Sequence, residues 1–187
     1  SVIKYQGNKI ISDKIFIFPK EKKAICQGPA KVYIENEKIL SSGNKEHNLL
    51  TEKNKQEDKK SEIIATCQGP ITFTNQKEID MSQNVKITTS NGVLTCEQLK
   101  IFLEKEKVTE VIAYKKVKII SKETEVTADV LKWTEQSNIA SLEAAELVYI
   151  KSADFDFQAP HIFYHIEQKR FETRGQNILM NYRFPEE

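Results

Sequence analysis

Short apolar stretches dominate the chain, alternating with polar residues at a period of two. K-I-F-I-F and A-K-V-Y-I in residues 1–35 are rich in β-branched and aromatic residues, and they read as strands. Pro19 and C-Q-G-P at residues 26–29 break them. From Ile63 to Tyr182 the β pattern is nearly continuous. Its clearest strand is Val108 to Ile120, where Val111, Ala113, Val117 and Ile119 share one parity while Glu110, Lys116 and Lys118 take the other. The apolar parity flips between Leu94/Cys96 and Leu99/Ile101/Leu103, and again between Ala128/Val130 and Leu131/Trp133, which predicts a bulge or corner in those strands. Asn91-Gly92 predicts a hairpin turn, and Lys105-Glu106 and Ser137-Asn138 predict further turns. S-L-E-A-A-E-L at 141–147 has helical propensity, but its register places Val148 and Ile150 on a closing strand, so strand is expected.

A second pattern lies over the first. A small or polar residue, two spacers, an apolar anchor and a further apolar residue two positions on recur about every 30 residues. The anchors are Ile15, Ile71, Leu99, Leu131 and Ile162, at gaps of 56, 28, 32 and 31. Each is followed by a second mark, at Val32, Val85, Val117, Val148 and Ile178. A repeat of this size predicts units that cannot bury their own apolar face and stack on their neighbours. Phe73, Ile101, Trp133 and Tyr164 share one repeat position and form a ladder through the stack. Residues 36–62 differ: they are almost wholly polar and predict a loop or excursion in place of about one repeat.

Composition narrows the function. With 28 Lys and Arg against 27 Asp and Glu, both signs scattered, the 187-residue chain lacks the basic excess of a nucleic-acid binder. It has no apolar run long enough to cross a bilayer and no signal peptide, and it starts inside the pattern at V-I-K-Y, which suggests a processed start. Cys26, Cys67 and Cys96 form no C-x-x-C pair, so no zinc site is expected. Cys26 and Cys67 share the string C-Q-G-P; they read as small apolar strand residues, with a disulfide between them left open. His161 and His165 share a strand face about 13 Å apart, too far for one metal ion. Asp154 and Asp156 read as a solvated face opposite Phe155 and Phe157. No nucleophile elbow, phosphate loop or Gly-rich fingerprint occurs, so neither enzyme activity nor a cofactor is expected.

T-A-D-V-L-K-W, S-N-I-A-S-L-E, L-V-Y-I, T-C-E-Q-L-K-I-F-L, V-T-E-V-I-A-Y-K-K-V-K-I and Q-N-V-K-I together resemble the OstA-like, LptA-like repeat of periplasmic lipopolysaccharide-transport proteins, among them LptA, LptC and the N-terminal domain of LptD. The resemblance covers most of residues 9–182 apart from 36–62. Family repeats commonly carry Gly-Asn before the second apolar mark. Asn84 and Asn177 keep the Asn without the Gly, and Lys116 and Leu147 depart from it.

The resemblance implies an all-β fold over residues 1–187: an elongated, twisted, antiparallel open β-jellyroll, or β-taco. It implies a periplasmic, non-enzymatic protein of a diderm cell envelope that binds the lipid A acyl chains of lipopolysaccharide, or a related envelope lipid, in a hydrophobic trough. It implies transfer to other bridge proteins through edge-strand addition, with a head-to-tail homo-oligomer among the arrangements. Candidate lining residues, chosen by repeat register, are Ile17, Phe73, Val85, Ile87, Ile101, Val117, Ile119, Trp133, Val148, Ile150 and Tyr164. The alternative is a structural or adhesive β-solenoid, packed solid inside, whose outer face binds protein or polysaccharide.

Overall fold

The structure is a computed structural model that describes residues 1–5, 8–35, 62–75, 77–104, 107–168, 170–174 and 178–182. The polar excursion falls outside these residues except for Glu62, which opens a strand. Thirteen strands form one sheet: β1 (Val2–Tyr5), β2 (Asn8–Phe18), β3 (Lys23–Glu35), β4 (Glu62–Cys67), β5 (Ile71–Thr74), β6 (Glu78–Thr89), β7 (Gly92–Glu104), β8 (Lys107–Ser121), β9 (Thr124–Thr134), β10 (Ile139–Ser152), β11 (Phe155–His165), β12 (Arg170–Arg174) and β13 (Leu179–Tyr182). Pro19–Glu21 form a single 3₁₀ turn between β2 and β3. Every neighbouring pair is antiparallel, and the order runs from β1 to β12 without closing into a barrel.

Apart from one further shift at Phe102/Leu103 at the end of β7, the ladder is interrupted on one line across the whole sheet. Register shifts fall at Ser12/Lys14, Ser82/Val85, Thr95/Gln98, Tyr114/Val117 and Glu143/Val148. On the same line β4 gives way to β5 and β13 to β12, both members of each pair lying beside one continuous strand. This line is a crease that divides each long strand into two arms. Inner side chains on both arms are buried although, among the described residues, only the sheet itself is present to cover them, so the sheet is folded along the crease and the arms face each other.

The strands turn the corner in two ways. In β7 the last buried residue before the crease and the first after it are Cys96 and Leu99, and in β9 they are Ala128 and Leu131. Three positions separate each pair, so the parity flips, as the sequence pattern predicts. In β6 and β8 the corresponding pairs are Met81/Val85 and Ala113/Val117, four positions apart with no flip. Two consecutive left-handed residues absorb the extra length: Gln83-Asn84 (φ 64° and 51°) and Lys115-Lys116 (φ 61° and 52°). Gly28, at φ 84°, does the same in β3. A left-handed pair gives a physical reason for Gly-Asn at this point of the repeat. In β10 the interval widens to Ala144–Leu147, inside the S-L-E-A-A-E-L string; the string is strand, and the Ala145 N–H donates to Asp129 Oδ2 at 2.7 Å.

The five anchors lie in or against the core, and so do Val32, Val85, Val117 and Val148. Ile178 departs from expectation. It precedes β13 at the open edge of the sheet, where no further strand of the described residues covers it, and is 45% exposed.

A non-glycine residue held in the left-handed region costs about 1–2 kcal/mol, partly offset by the greater chain entropy of an unfolded glycine. Lys115→Gly is therefore expected to stabilise the protein by about 0.5–1 kcal/mol in urea denaturation; a loss of stability would contradict the assigned backbone conformation.

Candidate functional site: the inner face

Cross-strand registers arrange the inner side chains in rows. One row on the second arm is Ile17, Ala24, Phe73, Ile79, Ile101, Val111, Trp133, Ala140, Tyr164 and Phe171, each directly opposite the next from β2 to β12. Beside it, nearer the crease, run Ile15, Cys26, Ile71, Met81, Leu99, Ala113, Leu131, Leu142 and Ile162. On the first arm a row of Ile3, Ile10, Val32, Ala65, Ile87, Leu94, Ile119, Val126, Ile150, Phe157 and Met180 extends from β1 to β13. At the crease on that arm the inner residues are smaller and include Ala30, Cys67, Val85, Cys96, Val117, Ala128, Val148 and Ala159. At roughly 4.8 Å per strand, the ten-residue row is about 43 Å long.

All eleven candidate residues fall on three of these rows. Phe73, Ile101, Trp133 and Tyr164 share the row that ends in Phe171, and Tyr164 stacks on Phe171 with ring centroids 4.7 Å apart. Ile87, Ile119 and Ile150 share the first-arm row, and Val85, Val117 and Val148 stand at the crease. Ile17 occupies the end of its row but is not enclosed. It is 65% exposed because β1 pairs only with Asn8–Ile11 and leaves the rest of β2 as a free edge.

The repeat register missed Ile79, Val111, Ala24 and Ala140, which alternate with the chosen residues along the same row. One position per 30-residue repeat samples every second strand. The intervening strands run the other way, so their inner residues fall at a different offset. Continuing the period-two alternation back from each hairpin turn would have found them.

The outer face explains the balanced charge. Lys100 lies between Glu78 and Asp80 at 3.2 and 3.1 Å, Lys118 reaches Glu125 at 2.7 Å, and Lys132 reaches Glu110 at 2.8 Å. Hydrogen bonds first, then charge, raise the Lys100 and Lys132 ammonium pKa values through these carboxylates and lower that of Glu97 through Lys116. His161 Nε2 lies 2.8 Å from Ser141 Oγ and 3.2 Å from Glu143, while His165 pairs with Glu172 at 3.2 Å. The histidines thus serve separate outer contacts. Among the described residues, no three His, Cys, Asp or Glu side chains gather where they could hold a metal ion. Phe155 and Phe157 pack on the core, whereas Asp154 is exposed in the bend before β11. Outside the crease, a polar cleft of about 520 Å³ is lined by Ser82, Gln83, Glu97, Gln98, Lys115 and Lys116, a lining unsuited to hydrocarbon.

No family model matches the sequence, and no curated protein matches it. Among solved structures there is a likeness to LptH of Pseudomonas aeruginosa. That protein is the LptA homologous periplasmic component of the conserved lipopolysaccharide transport device; the match covers 94% of each chain at 10% identity, with a TM-score of 0.49. At that identity the likeness assigns no role to any individual residue.

The three cysteines are free and buried. Cys26 stands opposite Ile71 and Cys67 opposite Ala30, because the two C-Q-G-P strings cross the crease in opposite directions on neighbouring strands. Burial raises the pKa of all three thiols, that of Cys96 to about 12. Folding therefore favours the thiol form. This contribution is fully present below about pH 9, the ordinary thiol value, and is lost as pH rises from there towards about 12. Stability is expected to fall over that window, and iodoacetamide at pH 8 is expected to modify these cysteines only after denaturant is added. Rapid alkylation of the native protein would refute the burial.

Proposed function

We propose that this protein is a non-enzymatic lipid carrier of the cell envelope, binding the acyl chains of lipopolysaccharide or a related amphiphile between its two arms and passing them along a periplasmic bridge. The observation that carries this reading is the continuity of the inner rows. Two of them cross ten and eleven strands without a charged side chain, the Trp133 N–H and Tyr164 hydroxyl being their polar groups, and they run out into exposed apolar residues, Ile17 and Phe171 at the two ends on one arm and Met180 at the β13 end on the other. A globular core closes its ends with polar residues, whereas a conduit leaves them apolar for the next element. Each methylene moved from water onto such a surface contributes about 0.8 kcal/mol, so a multi-chain lipid needs no reactive group to be retained. Among the described residues no strand pairs with the outer edges of β12, β13 and β2 beyond Ile11, and such edges offer strand addition to other bridge proteins or to further copies.

A second reading is favoured by the tight burial in the middle of the sheet, where Leu99, Ala113 and Ile162 are fully buried. A solid β-stack that uses its outer face to hold protein or polysaccharide would look the same there.

A photo-crosslinking residue placed at 101, 117, 133 or 148 distinguishes them. With lipopolysaccharide, adducts are expected at all four inner positions and not at outer position 118, and a fluorescent fatty acid should bind the folded protein and compete. A folded protein with no adducts and no bound probe would transfer the assignment to the solid stack.

A further inference from the structure

The two arms differ by one strand. On the second arm the path runs through β2, β3, β5 to β11 and β12, ten strands; on the first it runs through β1 to β4, β6 to β11 and β13, eleven strands. All neighbours are antiparallel, so the end strands β2 and β12 of the second arm run in opposite directions. On the first arm β1 and β13 run in the same direction. A second copy set end to end would therefore continue the antiparallel ladder on one arm, with β12 beside β2. On the other arm it would place β13 parallel to β1. Without β1, both arms have ten strands and the ladder continues on both.

β1 also resembles the strand that would replace it. It reads V-I-K-Y, and β13 reads L-M-N-Y: two apolar residues, one polar residue and a tyrosine over four positions. Ile3 and Met180 are the outermost members of the same inner row, one at each end. β1 is lightly held: Val2 is 53% exposed, and among its described side chains only Ile3 packs against the core. Four residues at a sheet edge separate at low cost. β13 meanwhile keeps Leu179 and Met180 more than half exposed.

We propose that β1 is a built-in substitute for β13 of a second copy of this chain, occupying the edge of β2 until the incoming strand displaces it. The exchange replaces one antiparallel partner of β2 by another of like pattern, and extends both apolar rows into the next copy. It rests on the conduit reading above and adds to it the control of assembly. While β1 is seated, the first-arm edge of β2 is closed to addition.

The test locks or loosens β1 in the full chain. Ser1 and Ser12 exchange both main-chain hydrogen bonds, at 2.8 and 3.0 Å, so the next pair, Val2 and Ile11, is a non-hydrogen-bonded one. In such pairs Cα atoms lie about 4.5 Å apart, within disulfide range. Val2 points outward, so the double variant Val2→Cys/Ile11→Cys leaves the inner rows intact. Sedimentation velocity over a concentration series reads self-association, with circular dichroism as the check on folding. The oxidised variant is expected to stay monomeric at concentrations where its reduced form and the parent associate. Ile3→Ser, which loosens β1, is expected to tighten association by about tenfold, as removal of a competing state requires. Equal association of the oxidised and reduced forms, no gain in Ile3→Ser, or monomers throughout would each overturn the proposal. A fluorescent fatty acid added to the same samples separates the two levels. Probe binding retained with any of those association results would sink the strand exchange alone, whereas probe binding absent from every folded sample would sink the conduit.

Discussion

One sheet has to bury its own apolar face. Among the described residues there is no α-helix and no second sheet to cover the inner side of the thirteen strands, yet that side carries most of the large aliphatic residues and the fully buried ones. Folding the sheet along a line solves the problem, but only if every strand bends at the same place. The crease follows from that requirement, and so do the devices that make it: parity flips in β7 and β9, left-handed pairs in β6 and β8, the glycine of β3 and the wide interval of β10. Backbone strain at Gln83, Asn84, Lys115 and Lys116 is maintained because the rows on either side can be buried in no other way.

Much of this was legible in the sequence, because period-two alternation survives on each arm. The flips at Cys96/Leu99 and Ala128/Leu131 were readable since three-residue corners shift the parity. The corner in β8 was not, since Ala113 and Val117 keep the same parity across it and its two lysines look like ordinary surface residues. The candidate lining was found on alternate strands for the same geometrical reason: a repeat made of two strands marks one of them. Ile17 and Ile178 were assigned by register alone, and register does not show where a sheet ends; both lie at edges where no described residue encloses them. Charge balance had a local cause that composition could not display, namely lysines and carboxylates facing one another on adjacent strands, as Lys132 and Glu110 do.

The outer and inner faces divide the work. Cross-strand ion pairs at the surface contribute modestly to stability, but they place charge of both signs on the outer face from β6 to β12 and keep it wet. The inside carries none. This separation gives the protein its polarity across the sheet, while the apolar edges give it continuity along the sheet. A functional reading that uses only one of these features leaves the other without a purpose.

The row from Ile17 to Phe171 is uneven in height. Ala24 lies between Ile17 and Phe73, and Ala140 between Trp133 and Tyr164, so the surface has two notches flanked by taller residues. For a hydrocarbon chain lying across it, no step of the row requires a hydrogen bond to be broken or a charge to be passed. The resistance to sideways travel is then steric corrugation on the scale of a methyl group or two, with pauses at the alanines. Such a surface would hold a hydrocarbon chain through total contact area while opposing its motion only weakly, and residence and mobility would become separate properties.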